Sequence, residues 1–319
     1  MATDARPVIA VVGATASGKS ELAVALARRL GGEVINTDAM QLYRGMDIGT
    51  AKLTRGERRG VPHHLLDVLD VVEPASVAVF QSWVRCTVGA VLAHGAIPVL
   101  AGGSGLYVRA AIDEMQFPGT DAAIRARLEH QAAQIGTPAM HARLRQVDPV
   151  AAAAILPSNT RRVVRALEVI ELTGKPYAAT LPTPTYWHRP TVQVALDVPR
   201  DELDRRVEAR VERMWARGLV DEVRALAENG LAAGPTASRA LGYAQVLRFL
   251  AGEWSEQQAQ ERTIVATRRF IRRQDQWFRK DPRVQWVDPG ADPVGAVLQM
   301  VSDAAPDPHE TVPQLPSAR

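Results

Sequence analysis

Hydrophobic positions in the first third of the chain follow two alternating periods. Residues 7–13 are a short β-branched run ending at glycine and predict a strand buried on both faces. Residues 19–30 follow helical spacing, with Leu22, Leu26 and Leu30 on one stripe and Gly31-Gly32 as the stop. Residues 33–37 predict a second strand and 65–69 a third. Residues 76–94 predict a helix that turns Phe80, Val84, Val88 and Val91 inward and ends at Gly95. Residues 97–100 predict another buried strand, closed by Gly102-Gly103. Strands alternating with helices argue for an α/β fold built on a parallel sheet flanked by helices.

The pattern changes after Met115. Up to about residue 184 the chain is rich in Ala, Arg and Leu, reads as helices, and offers no convincing strand. Pro182, Pro184 and Pro190 mark a boundary. A strand returns at 192–198, and long helices follow at 201–218 and 255–280. The expected organisation is an α/β core of residues 1–115 and 191–303 interrupted by an all-helical insertion, 116–190. Residues 304–319 carry four prolines and predict a disordered tail. No internal repeat is visible.

Composition narrows the class. With 46% hydrophobic and 23% charged residues, collagen-like, disordered and disulfide-scaffold chains are excluded. Cys86 is the only cysteine, which leaves no intrachain disulfide and no Cys-based zinc site. The longest apolar runs have strand length, and residues 1–7 show no charged segment followed by an apolar one. The expectation is a cytoplasmic protein without a membrane span or secretory signal.

Gly13-Ala14-Thr15-Ala16-Ser17-Gly18-Lys19-Ser20 matches G-x-x-x-x-G-K-[ST] in full, between a buried strand and an amphipathic helix. Glycines let successive N–H groups turn toward one anion, and the helix N-terminus adds partial positive charge. Lys19 is expected to neutralise a terminal phosphate and Ser20 to reach a magnesium ion, so this P-loop should bind a di- or triphosphate. The strand at 97–101 ends in Gly102-Gly103-Ser104-Gly105, where a hydrolysing P-loop enzyme carries an aspartate. Asp67 and Asp70 are the candidate substitutes, with structural roles as the alternative. The phosphates can therefore belong to a leaving group.

An ordered set of blocks resembles the tRNA dimethylallyltransferase (tRNA isopentenyltransferase) family. It comprises the P-loop, Asp38-Ala39-Met40-Gln41, residues 43–52, Pro62-His63-His64-Leu65-Leu66-Asp67, residues 102–107, Arg165-Ala166-Leu167-Glu168-Val169, Leu241-Gly242-Tyr243 and the Arg-rich 267–279. The matches run from about residue 8 to 288. The resemblance implies a P-loop NTPase-like core and transfer of a dimethylallyl group from dimethylallyl diphosphate to N6 of the adenosine 3′ of the anticodon in tRNA. It also implies Mg2+ as cofactor and the tRNA anticodon stem-loop as partner.

Within that resemblance Asp38, directly after the second strand, is the candidate general base, because N6 must lose a proton as the C–N bond forms. Its bland alternative is an Asx turn or helix cap. Ser104 stands where the family more often has threonine and keeps the hydroxyl. Arg125 resembles a family arginine that reaches the reacting groups, with Arg127 as the neighbouring alternative. Asp38, Ala39, Met40 and Gln41 are also expected to meet the tRNA.

The net charge of +3 chooses no partner, but its distribution is informative. Residues 255–280 hold seven bases (Arg262, Arg268, Arg269, Arg272, Arg273, Arg279, Lys280) against three acids, a net of +4. On a helical projection the bases fall within roughly 140° of arc. The stripes Ala259, Ala266, Phe270, Trp277 and Ile264, Ile271, Phe278 are expected to pack on the other side. Arg269 and Arg273 are the candidate phosphate contacts. Arg161, Arg162 and Arg165 form a second cluster at a helix start, where the family usually carries glutamine in place of Arg161. Residues 239–245 are a third surface, with Arg239, Gly242 and Tyr243; Tyr243 could stack on a base or pack in the core. The competing classes are a P-loop kinase or adenylate isopentenyltransferase acting on a free nucleotide, and a non-catalytic nucleotide-gated RNA-binding protein. A monomer is the simplest assumption.

Overall fold

Parallel pairing explains why the buried strands are so apolar. In the computed structural model, which describes residues 6–178 and 180–304, six parallel strands form one sheet in the order β3-β2-β4-β1-β5-β6. The chain runs β1 (Val8–Val12), α1 (Lys19–Leu30), β2 (Gly32–Asn36), β3 (His63–His64), α2 (Val77–Ala93), β4 (Ile97–Gly102) and α3 (Gly105–Ile112). After a helical stretch it resumes with β5 (Thr191–Leu196), α8 (Arg200–Ala216), α9 (Leu219–Glu228), α10 (Tyr243–Leu250), α11 (Glu256–Arg279), β6 (Val284–Val287) and α12 (Pro293–Ala304). All five residues of β1 are buried, as a central strand covered on both faces requires. The expected parallel α/β sheet flanked by helices is the observed one. The tail expected to be disordered lies, from residue 305, outside the described residues, as do residues 1–5.

Two compact units divide the chain, one running to Asp113 and resuming at Tyr186, the other Glu114–Thr185. The second consists of α4 (Ala122–Ile135), α5 (Thr137–Val147), α6 (Pro149–Ala154) and α7 (Thr160–Thr173). Leu128, Met140, Leu144, Ile155, Val163 and Leu167 fill its core. Asp121, Asp148 and Asn159 cap α4, α6 and α7 by accepting from backbone N–H groups of the first turn.

Register decides where chemistry can sit. Val12 pairs with Gly102 and Asn36 with Ala101, and the Thr37 N–H extends the ladder to the Ala101 carbonyl at 2.9 Å. The carboxyl ends of β1, β2 and β4 therefore open onto one edge, carrying the P-loop, Asp38 and Ser104. The expected helix at 76–94 buries Phe80, Val84, Val88 and Val91. Among the described residues no helix is long and apolar enough to cross a membrane.

The third strand differs from expectation. Only His63–His64 pair with β2, and Leu65 and Asp67 have φ of +57° and +58°, outside any strand. Lys52 causes this: its buried ammonium binds Asp67 and Asp47 and the Tyr43 carbonyl, and curls the chain around itself. Asp67 is thus tied to Lys52 and Asp70 to Arg44, which makes both structural.

The buried stripe of α11 also differs. It is Ala259, Thr263, Thr267, Ile271, Gln274 and Phe278, while Trp277 is exposed and Ala266 and Phe270 only partly covered. Thr263 and Gln274 can line this face because their polar groups are satisfied in place. The Thr263 hydroxyl donates to the Ala259 carbonyl at 2.8 Å, and Gln274 bridges two loops.

Candidate active site

The P-loop is held from two sides. Gln274 on α11 accepts from the Thr15 N–H at 2.9 Å and donates to the Gly103 carbonyl at 2.9 Å. Gly103 has to be glycine: a Cβ would stand 2.3 Å from the Gln274 amide nitrogen and 2.8 Å from the Gly13 carbonyl. Arg206 of α8 reaches the Ser17 carbonyl at 3.4 Å. The Ser17 hydroxyl, buried in the loop, has no hydrogen-bond partner among the described residues.

A cavity of about 430 Å³ opens beside this loop. Ala16, Gly18, Lys19 and Ser20 line one wall, and Arg206, Arg210 and Arg213 of α8 with Arg217 at its C-cap line another. Lys52 lines it too, as do Glu21 and Glu57, so six cations face two carboxylates, a balance that suits an anion. The four arginines are the main omission of the sequence reading, although their spacing of four, three and four residues places them on one face of α8. Burial lowers the Lys19 ammonium to about 8, against the opposing pull of Asp38 and with the repulsion of Arg210. Burial likewise lowers Arg210 to about 10, opposed by Asp38 and aided by Arg213.

A second cavity, of about 360 Å³, lies next to the first and shares Arg210 and Met214 with it. Its lining includes Asp38, Ala39, Met40 and Ser104 from the strand ends, Arg239 from the turn before α10, and Phe270 and Arg273 from α11. Asp38 makes the Asx turn of the bland reading, Oδ1 accepting from the Met40 N–H at 2.9 Å, and it faces this cavity as well. The two readings are compatible. The Ser104 hydroxyl accepts from the Ala39 N–H at 3.4 Å and ties the end of β4 to the residue after Asp38.

Other candidates fall elsewhere. Gln41 does not line the second cavity but holds the carbonyl of Thr50, which does, at 3.2 Å. Gly242 and Tyr243 are buried, Tyr243 completely, so the stacking alternative for this ring is corrected to core packing. The cause is its hydroxyl, which donates to Glu222. On α11, Arg269, Arg272 and Arg273 are exposed, whereas Arg268 pairs with Glu208, and Arg279 with Asp197 and Asp275.

In the helical unit Arg125 grips both oxygens of Glu168, and Arg165 pairs with the same carboxylate while donating to the carbonyls of Pro118 and Gly119. Arg125 keeps 41% of its side chain exposed in this pairing. Glu168 is wholly buried; burial would raise its carboxyl, but hydrogen bonds from Thr120, Arg125, Arg165 and the Asp121 N–H hold it below the ordinary range. Arg127 pairs with Glu171, and Arg161 and Arg162 are exposed at the start of α7.

Among the described residues no cluster of three His, Cys, Asp or Glu side chains could hold a metal alone. Ser20 beside a phosphate would suit an ion that keeps most of its water and takes oxygen ligands, as Mg2+ does.

Comparison with known proteins shows the family and the fold. The family model described as IPP transferase matches residues 41–281. A tRNA dimethylallyltransferase of Salinispora arenicola is 62% identical over 93% of this chain and 87% of its own length. The crystal structure of a tRNA isopentenylpyrophosphate transferase from Bacillus halodurans is 39% identical, covers 93% of this chain and 95% of its own, and superposes with a TM-score of 0.67. A eukaryotic dimethylallyltransferase solved acting on tRNA, 24% identical, shares the fold with a TM-score of 0.78 over 93% of this chain and 79% of its own. The chain belongs to the IPP transferase family of prenyl-transferring enzymes.

Proposed function

We propose that this chain transfers the dimethylallyl group of dimethylallyl diphosphate to N6 of the adenosine 3′-adjacent to the anticodon in tRNA and releases diphosphate. The observation that carries this reading is the position of Asp38 near Lys19 and Arg210, where two cavities share a wall. A proton acceptor lines one cavity and an anion grip the other, with Arg210 in both.

The bond from the allylic carbon to the diphosphate oxygen breaks as the bond to N6 forms, and N6 gives up one proton. Lys19, Arg210 and the P-loop N–H groups stabilise the charge left on the diphosphate. Asp38, oriented by the Met40 N–H, receives the proton. Ser20 would hold Mg2+, which when bound would supply charge neutralisation to the leaving group. Arg239, Arg273 and Phe270 offer phosphate pairing and an aromatic face to a base drawn out of its stack.

The test offers tRNA, AMP and ATP together with labelled dimethylallyl diphosphate and Mg2+, followed by nucleoside analysis. Label in N6-modified adenosine of tRNA is expected. Label in AMP would favour the adenylate enzyme, and ADP release without labelled tRNA a kinase.

A further inference from the structure

Residues 47–50 form a loop with a face on each cavity: Ile48 lines the P-loop side, and Gly49 and Thr50 the Asp38 side. Their backbone is gripped by one distant carboxylate. Glu222 on α9 accepts from the N–H groups of Asp47 at 3.2 Å, Ile48 at 2.7 Å and Gly49 at 3.3 Å. Three successive amides turned toward one anion are the geometry by which loops bind phosphate, filled here by the protein's own side chain.

The carboxylate is itself fixed. Glu222 accepts from the Tyr243 hydroxyl, and burial together with the Glu222 charge keeps that phenol far above its ordinary range, so it stays a donor. The Tyr243 ring packs against Gly49 so closely that a Cβ there would stand 2.4 Å from it. The next carbonyl along the loop, that of Thr50, accepts from Arg210 at 3.3 Å and from Gln41 at 3.2 Å. Arg210 is the arginine that lines both cavities.

From this chain of contacts we infer that Glu222 is a positioning residue for the transfer reaction: by holding three amides of residues 47–49 it sets the Thr50 carbonyl, and through it aims the Arg210 guanidinium at the diphosphate. Tyr243 belongs to the same device. The inference rests on the reading of the P-loop cavity as the diphosphate site. A glutamine at 222 offers one oxygen and turns an N–H2 toward N–H donors, so it cannot hold all three amides. Arg210 then keeps its charge but loses its aim.

The test is a double-mutant cycle on the full chain, with Glu222→Gln, Arg210→Ala and the pair, reading the Kd of Mg2+-pyrophosphate by calorimetry beside the Kd of tRNA and the thermal midpoint. Glu222→Gln is expected to weaken pyrophosphate by about tenfold, as expected for a charged hydrogen-bond anchor, with tRNA binding within about twofold. In the Arg210→Ala background it should add nothing to the loss. An equal further loss in that background, or a lowered midpoint with unchanged pyrophosphate affinity, overturns the inference. Arg210→Ala without effect on pyrophosphate overturns the diphosphate-site reading and this inference with it. If Glu222→Gln does not fold, Tyr243→Phe, which removes one donor and keeps the ring, should weaken pyrophosphate in the same direction by about threefold; no change then refutes it.

Discussion

The side-chain oxygen of Gln274 accepts the Thr15 N–H at 2.9 Å, across 259 positions of sequence. The same amide donates to Gly103, so one α11 residue sets the P-loop against the end of β4. Gln274→Ala leaves a P-loop N–H and a buried carbonyl without partners, a cost of about 1–3 kcal/mol. Urea unfolding should show that loss, and pyrophosphate affinity should fall with it; an unchanged midpoint would remove Gln274 from the site's support.

Lys19 should carry the pH dependence of pyrophosphate binding if the P-loop cavity is the diphosphate site. Its ammonium is lowered to about 8, so the cation needed by the diphosphate disappears as pH rises through that value. Pyrophosphate affinity, measured by calorimetry with Mg2+, should decline above about pH 8 in the native chain. Lys19→Arg keeps its charge to higher pH and should abolish the decline. A decline of equal size in both proteins would place the titration elsewhere.

Charge pairing on α11 separates two kinds of arginine. Arg269 and Arg273 are exposed on the cationic face, while Arg268 is engaged by Glu208. Replacing Arg269 or Arg273 with Ala should flatten the plot of log affinity for tRNA against log salt by about 0.7–0.9 per lost phosphate contact. Arg268→Ala should leave the slope unchanged. The reverse ranking would move the RNA surface off this face.

Glu168 ties the helical unit together through Arg125 and Arg165. Its carboxyl lies below the ordinary value of 4.5 when folded, so its stabilising contribution is present above that pH and is lost as pH falls through the folded value. Glu168→Gln should cost about 1.5–3 kcal/mol at pH 7, the range for hydrogen bonds to a charged group. The cost should shrink toward pH 3 in denaturant titrations of the full chain. A constant difference across that range would contradict the assignment.

The glycine-bounded first strand, the helix after the P-loop and the inserted helices were legible because local period and punctuation coincide there. Asp38 was legible as the residue after a strand. Residues 65–69 look like a strand by composition, but Lys52 pulls Asp67 into a left-handed turn, a tertiary cause that local pattern does not carry. The stripe of α11 was misassigned because Thr263 and Gln274 bury polar groups whose partners lie elsewhere in the chain or one turn back. The arginines of α8 were legible in principle from their one-face spacing. Glu222 was not, since its partners are backbone amides some 170 positions away.

Asp38 is the one carboxylate to which proton removal from N6 is assigned. The direct measurement is the single-turnover rate of transfer from dimethylallyl diphosphate by Asp38→Asn and Asp38→Ala, with tRNA and pyrophosphate affinities determined on the same preparations. Affinities should stay within about threefold of the native chain while the rate falls by about 10²–10⁴-fold, the range for loss of a general base. A native-like single-turnover rate in either variant would contradict that assignment.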